Sequence, residues 1–179
     1  MPRALAVFCG SASGRSPAYA AAARRVGRLL AEKEITLVYG GGRVGMMGAL
    51  ADAALEAGGR VVGVIPRALV EREAAHRGVT ELRVVETMHE RKALLSDLSA
   101  ATLTLPGGIG TYEEFFEVLT WSHLGLQRKL SGVLDVEGYY APLRALIDHA
   151  VAEEFLKESH RDLLRIDDDP ERLLGELGF

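Results

Sequence analysis

Cysteine is nearly missing from this chain: among 179 residues, Cys9 alone carries a thiol. One thiol cannot close an intramolecular disulfide or build a multi-thiolate metal site, and it fits a reducing compartment, so a cytoplasmic location is expected. An excess of positive charge is missing too, because 21 Lys and Arg stand against 25 Asp and Glu for a net charge of −4. That balance excludes the broad basic field that nucleic acid or an anionic membrane surface would need. Any anionic ligand must be met by local groups. Long apolar runs are absent as well. The first, Ala4–Cys9, is shorter than a signal-peptide core, and nothing approaches the roughly 18 apolar residues that span a bilayer. What remains is a chain 48% hydrophobic and 26% charged, enough to bury one core, so residues 1–179 are expected to form a single domain.

Short apolar runs rich in β-formers recur at Ala4–Cys9, Ile35–Tyr39, Arg60–Ile65, Leu82–Val85, Ala101–Leu105, Ser131–Val136 and Leu163–Ile166. They are nearly continuous rather than alternating, which predicts strands buried on both faces. Helical patterns separate them at Pro17–Lys33, Gly45–Ala57, Met88–Leu98, Thr111–Leu124 and Tyr139–Glu154, with a short last helix after the turn at Asp167–Pro170. The fold class that follows is α/β, a mainly parallel sheet with helices on both faces. Ala21, Val26, Leu29 and Leu30 are spaced to face the sheet from the first helix, with Pro17 in its first turn after Ser16. Trp121, Leu124 and Leu126 read as core or as a subunit contact, with core favoured, and the polar stretch Arg67–Thr80 is expected to be a mobile or interface segment.

Three strand ends carry glycine-bearing loops: Cys9 to Gly14, Gly40 to Gly45 and Pro106 to Gly110. In an open parallel sheet, ligands bind outside the carboxyl ends of the strands, where backbone N–H groups can approach an anion past residues without side chains. Together the loops indicate a nucleotide site containing Gly10, Ser11, Gly41, Gly42 and Gly45. Gly40, Gly42 and Gly45 also match G-x-G-x-x-G, but they follow the second strand, and Val64-Ile65-Pro66 stands where a ribose-binding acid belongs. A dinucleotide reading loses ground for that reason, and no P-loop sequence occurs.

Thr111-Tyr112-Glu113-Glu114 reads as a capping box, with Thr111 as N-cap and Glu114 at the third helical position. Thr87-Met88-His89-Glu90 is a second T-x-x-E start, followed by Arg91 and Lys92 in early turns, where the helix dipole disfavours cations. That misplacement suggests an anionic ligand, although two solvated basic residues would look the same. His89 is the only histidine in such a cluster, and no H-x-x-x-H spacing supports zinc. Cys9 reads as a small buried residue.

The combination P-G-G-x-G-T-x-x-E, Pro106 to Glu114, with M-H-x-R-K, Met88 to Lys92, resembles the LOG ("Lonely guy") family of cytokinin riboside 5′-monophosphate phosphoribohydrolases. The likeness runs from the first strand through the Gly40–Gly45 loop to Gly138-Tyr139-Tyr140. It implies a Rossmann-like domain, usually a homodimer, that hydrolyses the N-glycosidic bond of an adenine-type nucleoside 5′-monophosphate to free base and ribose 5-phosphate, with no cofactor and no metal. By motif, Arg91 and Glu114 correspond to the catalytic pair, while Lys92, Gly108, Ile109, Gly110, Thr111, Tyr112, Glu113 and Thr120 match substrate-contacting positions. Glu114, placed in the first helical turn, is expected to stay ionised and stabilise an oxocarbenium-like sugar or activate water. Arg91 is expected to orient ribose or the leaving group. The alternative is a non-enzymatic nucleotide or molybdenum-cofactor carrier with a related P-G-G-x-G-T loop; M-H-x-R-K together with Glu114 favours the enzyme. Many relatives are labelled lysine decarboxylase, a chemistry that requires a Schiff-base lysine, for which only Lys33, Lys92, Lys129 and Lys157 exist.

Overall fold

The first strand shows why its sequence is apolar throughout. Leu5, Val7 and Cys9 enter one core, Ala4, Ala6 and Phe8 enter another, so alternate side chains are buried on opposite faces of the same sheet. The computed structural model describes residues 3–72, 74–127 and 129–179. Its elements are β1 (Ala4–Phe8), α1 (Pro17–Glu32), β2 (Thr36–Tyr39), α2 (Gly45–Glu56), β3 (Val61–Pro66), β4 (Glu81–Val85), α3 (Met88–Asp97), β5 (Ala101–Thr104), α4 (Ile109–His123), β6 (Ser131–Leu134), α5 (Ala141–Ala152), α6 (Glu158–Arg161), β7 (Leu164–Asp167) and α7 (Pro170–Glu176). The strands lie in the order β4-β3-β2-β1-β5-β6-β7, and every neighbouring pair is parallel. The α/β expectation is met.

Strand order reverses between β1 and β5, since Leu5 pairs with Leu37 of β2 on one side and with Ala101 of β5 on the other. At such a switch point the following helices leave on opposite faces, and a crevice opens beyond the carboxyl ends. Helices α1, α2 and α7 supply Val26, Leu30, Leu50, Leu173 and Leu174 to one core. On the other face Leu95 of α3 and Val118 of α4 pack on Val38, Val62 and Val64, and Phe115 packs with Val133, Tyr140 and Ile147.

Two expectations about burial fail. Ala21 is exposed and Ala23 is the buried alanine of α1, because the buried stripe runs through Ala23, Val26, Leu29 and Leu30. Leu124 and Leu126 are exposed, since α4 ends at His123 and the chain there turns outward before β6. The polar stretch after β3 is tied to the β2 loop: His76 N–H donates to Gly41 O at 2.8 Å, Arg43 N–H donates to Ala74 O at 3.0 Å, and His76 Nε2 lies 2.9 Å from Asp52 Oδ1.

Candidate active site

Helix α3 begins as its sequence suggests. Thr87 is the N-cap and its hydroxyl accepts the Glu90 N–H at 3.1 Å, while Glu90 Oε2 accepts the Glu86 N–H at 2.9 Å. With the start fixed by these two bonds, Arg91 occupies the next turn and is swallowed by the fold, only 5% exposed. Its Nη2 donates to Gly40 O at 3.3 Å and stands 3.6 Å from Glu114 Oε1. The guanidinium fills the place of a side chain at position 40, where a Cβ would come within 2.2 Å of Nη2. Gly40 is therefore a site residue, in a role that its motif match did not indicate. Among the described residues, the buried Nε of Arg91 finds no hydrogen-bond partner. Leaving such a donor open is unfavourable by about 1–3 kcal/mol, so an acceptor supplied by a ligand fits.

Helix α4 begins differently from the sequence expectation. Gly108, not Thr111, is the N-cap, and no side chain caps the helix. Thr111 and Glu114 lie inside it, both buried. The reason is the short Leu105–Gly108 connection from β5: its glycines let the chain start turning at once, so the helix begins two residues before the threonine. The amides of Gly108, Ile109, Gly110 and Thr111 are the ones a helix cannot satisfy internally, and Tyr112 N–H is the first to return to a carbonyl, Gly108 O at 3.0 Å. The first turn also holds no acidic residue. Glu114 sits in the second turn, where the dipole fades, so the guanidinium of Arg91 is its nearby charge partner.

These two helix starts and the β1 loop enclose a cleft of about 270 Å³ lined by Cys9, Gly10, Ser11, Met47, Met88, Arg91, Gly108 to Thr111, Glu113 and Glu114. A second hollow of about 270 Å³ adjoins it across Gly10, Ser11 and Gly108 and is lined by Tyr19, Met46, Gly107 and Tyr139. Gly45 holds the wall between β1 and β2 in place: at φ +62° it lies so close to the Ser11 carbonyl that a Cβ would stand 2.1 Å from it. Burial, and then the charge of Glu114, push the Cys9 thiol well above the ordinary range, which leaves it an inert wall.

Not every residue picked by motif reaches the cleft. Lys92 bonds Glu113, and its Nζ lies 2.9 Å from Glu117 Oε1, so it acts on the cleft rim through Glu113. Gly41 and Gly42 face the 74–76 segment, Gly41 O accepting from His76 N–H and Gly42 pairing with Ala75. The Tyr112 hydroxyl turns away to Tyr139 at 2.6 Å. Thr120 is exposed further along α4 and donates to Phe116 O at 2.6 Å. Met47 and Met88 also line the cleft; Met88 stands inside its motif, but nothing local in the sequence marks Met47.

A family model described as "Possible lysine decarboxylase" matches residues 47–177. The cytokinin riboside 5′-monophosphate phosphoribohydrolase of Rhodococcoides fascians is 51% identical over 177 residues, covering 98% of this chain and 89% of its own. The rice enzyme LOG (Oryza sativa subsp. japonica), of the same name, is 46% identical over 162 residues, covering 90% of this chain and 67% of its own. The molybdenum cofactor binding protein of Rippkaea orientalis shares the fold with a TM-score of 0.71 at 18% identity, over 98% of this chain and 95% of that one.

The decarboxylase description does not fit the lysines. Burial pulls the Lys92 ammonium down, but its bonds to Glu113 and Glu117 outweigh that and hold it above the usual lysine value, whereas a Schiff base needs a neutral amine. Lys33 caps α1 and Lys129 precedes β6, both at the amino-end edge of the sheet, and Lys157 starts α6. Burial pulls the Lys129 ammonium down, but at that edge it is away from the cleft, so no lysine at the cleft suits pyridoxal phosphate chemistry. By the level and reach of the sequence matches, and by the two motifs whose residues meet at this cleft, the chain belongs to the LOG family.

Proposed function

We propose that this chain hydrolyses the N-glycosidic bond of an adenine-type nucleoside 5′-monophosphate, cytokinin riboside 5′-monophosphate or AMP, releasing free base and ribose 5-phosphate. The observation that carries the reading is the buried Arg91–Glu114 pair, with its unsatisfied Arg91 Nε, opposite the uncapped start of α4. The open amides of Gly108 to Thr111 and the positive helix end receive the 5′-phosphate. Phosphate anchoring brings the ribose across the cleft to Glu114.

Cleavage of the C–N bond leaves positive charge on the sugar carbon and ring oxygen, and the Glu114 carboxylate stabilises it or takes a proton from the attacking water. The role of Arg91 is to orient, its guanidinium fork held by Gly40 O and its Nε donating to a ribose or base acceptor. The names of the sequence relatives support the same bond and substrate class. We also propose a cytoplasmic, single-domain protein that self-associates as a homodimer or a higher homo-oligomer. The single thiol, Cys9, which fits a reducing compartment, supports the first point, and exposed Phe116, Leu124, Leu126 and Leu146 support the last.

The decisive experiment incubates the protein with AMP and with isopentenyl-AMP and follows free base and ribose 5-phosphate. Release from either is expected. Tight binding of a pterin without turnover of either nucleotide would overturn the reading in favour of a carrier.

A further inference from the structure

The loop between β5 and α4 has three successive carbonyls, and each is held by a donor from elsewhere in the fold. Leu105 O accepts the Tyr140 hydroxyl at 2.7 Å, Pro106 O accepts the Gly10 N–H at 3.1 Å, and Gly107 O accepts the Tyr139 hydroxyl at 2.5 Å. The next four amides, Gly108 to Thr111, are the ones the helix leaves open, and among the described residues none of them donates a hydrogen bond. Acceptors are thus turned into the protein over the stretch that immediately precedes the donors.

The last of these bonds has a consequence for the first open donor. No peptide bond in the described chain is cis. In a trans peptide the C=O and N–H point in opposite directions. Fixing the Gly107 carbonyl on Tyr139, which lies on the side of the second hollow, turns the Gly108 N–H the other way, toward the cleft of Arg91 and Glu114. Without that bond, rotation of a peptide flanked by two glycines would bring a carbonyl oxygen against an incoming anion.

Proton count fixes the direction of the relay. A carbonyl only accepts, so the single Tyr139 proton goes to Gly107 O, and the 2.6 Å contact with Tyr112 must have Tyr112 as donor. The chain therefore reads Tyr112 O–H to Tyr139 O–H to Gly107 C=O, and each bond polarises the next. Burial first, then the Tyr112 hydrogen bond, pushes the Tyr139 phenol up to about 12, which keeps it a donor over the working pH range. Tyr139 is held from its faces as well, edge-on to Tyr19 at 5.7 Å and to Tyr140 at 4.9 Å between ring centroids.

We infer that Tyr139, backed by Tyr112, is a positioning residue that orients the Gly107–Gly108 peptide so that the α4 start presents its N–H groups to the substrate's 5′-phosphate. The inference rests on the reading of that helix start as the phosphate site. It also accounts for Tyr112, which lies in the P-G-G-x-G-T-x-x-E motif yet has its side chain outside the cleft: it works on the loop from behind.

Tyr139→Phe removes the hydroxyl and keeps the ring. Calorimetric titration with ribose 5-phosphate and with AMP should show binding weakened about tenfold relative to the natural protein, and Tyr112→Phe should weaken it about threefold. In turnover the KM for AMP rises by the same factors while kcat stays within about twofold, and adenosine, which lacks the phosphate, is bound equally by all three proteins. A general loosening of the fold would instead weaken adenosine too. Unchanged ribose 5-phosphate binding in Tyr139→Phe overturns the tyrosine assignment alone. Failure of the natural protein to bind either phosphate compound overturns the phosphate site itself, and the two results are distinct. Should Tyr139→Phe not fold, Tyr112→Phe, which leaves the loop contact in place, decides by the same readouts.

Discussion

Helices α3 and α4 carry the same local pattern at their beginnings, Thr87-Met88-His89-Glu90 and Thr111-Tyr112-Glu113-Glu114, and use it in opposite ways. In α3 the threonine caps the helix and the glutamate reaches back to Glu86 N–H, one residue before the cap, so the side chains of the pattern are spent on the helix start itself. In α4 the helix has already begun at Ile109, the threonine is buried in its first turn, and the glutamate crosses to Arg91. The residues before the pattern decide the outcome. Two glycines and three externally held carbonyls bring the α4 start down into the crevice with its amides bare. A helix that caps itself is stable and closed, whereas one left uncapped has somewhere to put an anion.

The largest break in this comparison should come from the two glutamates. Glu114→Ala is expected to lower base release by at least about 10³-fold, the scale of losing a preorganised charge at a transition state. Glu90→Ala removes one hydrogen bond to Glu86 N–H, so it is expected to lower stability by about 1 kcal/mol and leave base release within about twofold. Steady-state kinetics alongside thermal melts of both variants makes the test. Equal losses of activity would mean that the shared pattern has a shared role.

A smaller and more pointed effect should follow from giving α4 the cap it lacks. Gly108 has φ −102°, and a Cβ there would meet nothing within 4 Å, so serine fits without strain. Its hydroxyl would accept from the Gly110 or Thr111 N–H as a good N-cap does, raising stability by a few tenths of a kcal/mol. The same hydroxyl would compete with phosphate for those donors. Gly108→Ser is therefore expected to melt slightly higher while binding AMP about tenfold more weakly, a stability gain set against function. Tighter AMP binding in a more stable variant would show that the amides are not the anchor.

Much of this could be read from sequence. Continuous apolar runs located the inner strands, and the glycines after β1, β2 and β5 located the crevice edge, because burial on both faces and tight exits leave marks within a few residues; the edge strands β4 and β7, only partly buried, showed as shorter and more mixed runs. Arg91 and Glu114 were found through their motifs, and Arg91 also through its odd charge at a helix start. The start of α4 was misread because capping preference is a local quantity, whereas the register there is set by Gly10, Tyr139 and Tyr140 from distant parts of the chain. Gly40 was legible only as one glycine among several; its role appears once Arg91 occupies the space of its missing side chain. Lys92 looked like a ligand cation, yet Glu113 and Glu117 already hold it, a pairing between two helices that no spacing within one helix reveals.

A third helix start sharpens the contrast through pH. In α7 the cap is carboxylate throughout: Asp169 Oδ1 accepts Glu171 N–H at 3.1 Å, and Asp167 Oδ1 accepts Asp169 N–H at 2.7 Å. Hydrogen bonding from Arg172 is the leading cause that draws Asp167 from its ordinary 3.8 down to about 2, with the Asp169 N–H adding to it against a burial effect of opposite sign. Because the folded value lies below the unfolded one, the proton binds the unfolded chain more readily. The Asp167 contribution is then fully present above about pH 4 and is lost as pH falls through about 2. Solvent screens this surface cluster, so the effect is expected to be the smallest of the three. Thermal melts between pH 5 and pH 2 should fall less steeply for Asp167→Asn than for the natural chain, and parallel curves would sink the assignment. The glycine cap of α4 has no group of its own to titrate over that range, so what holds its amides ready is geometry, set by tyrosine hydroxyls that stay protonated.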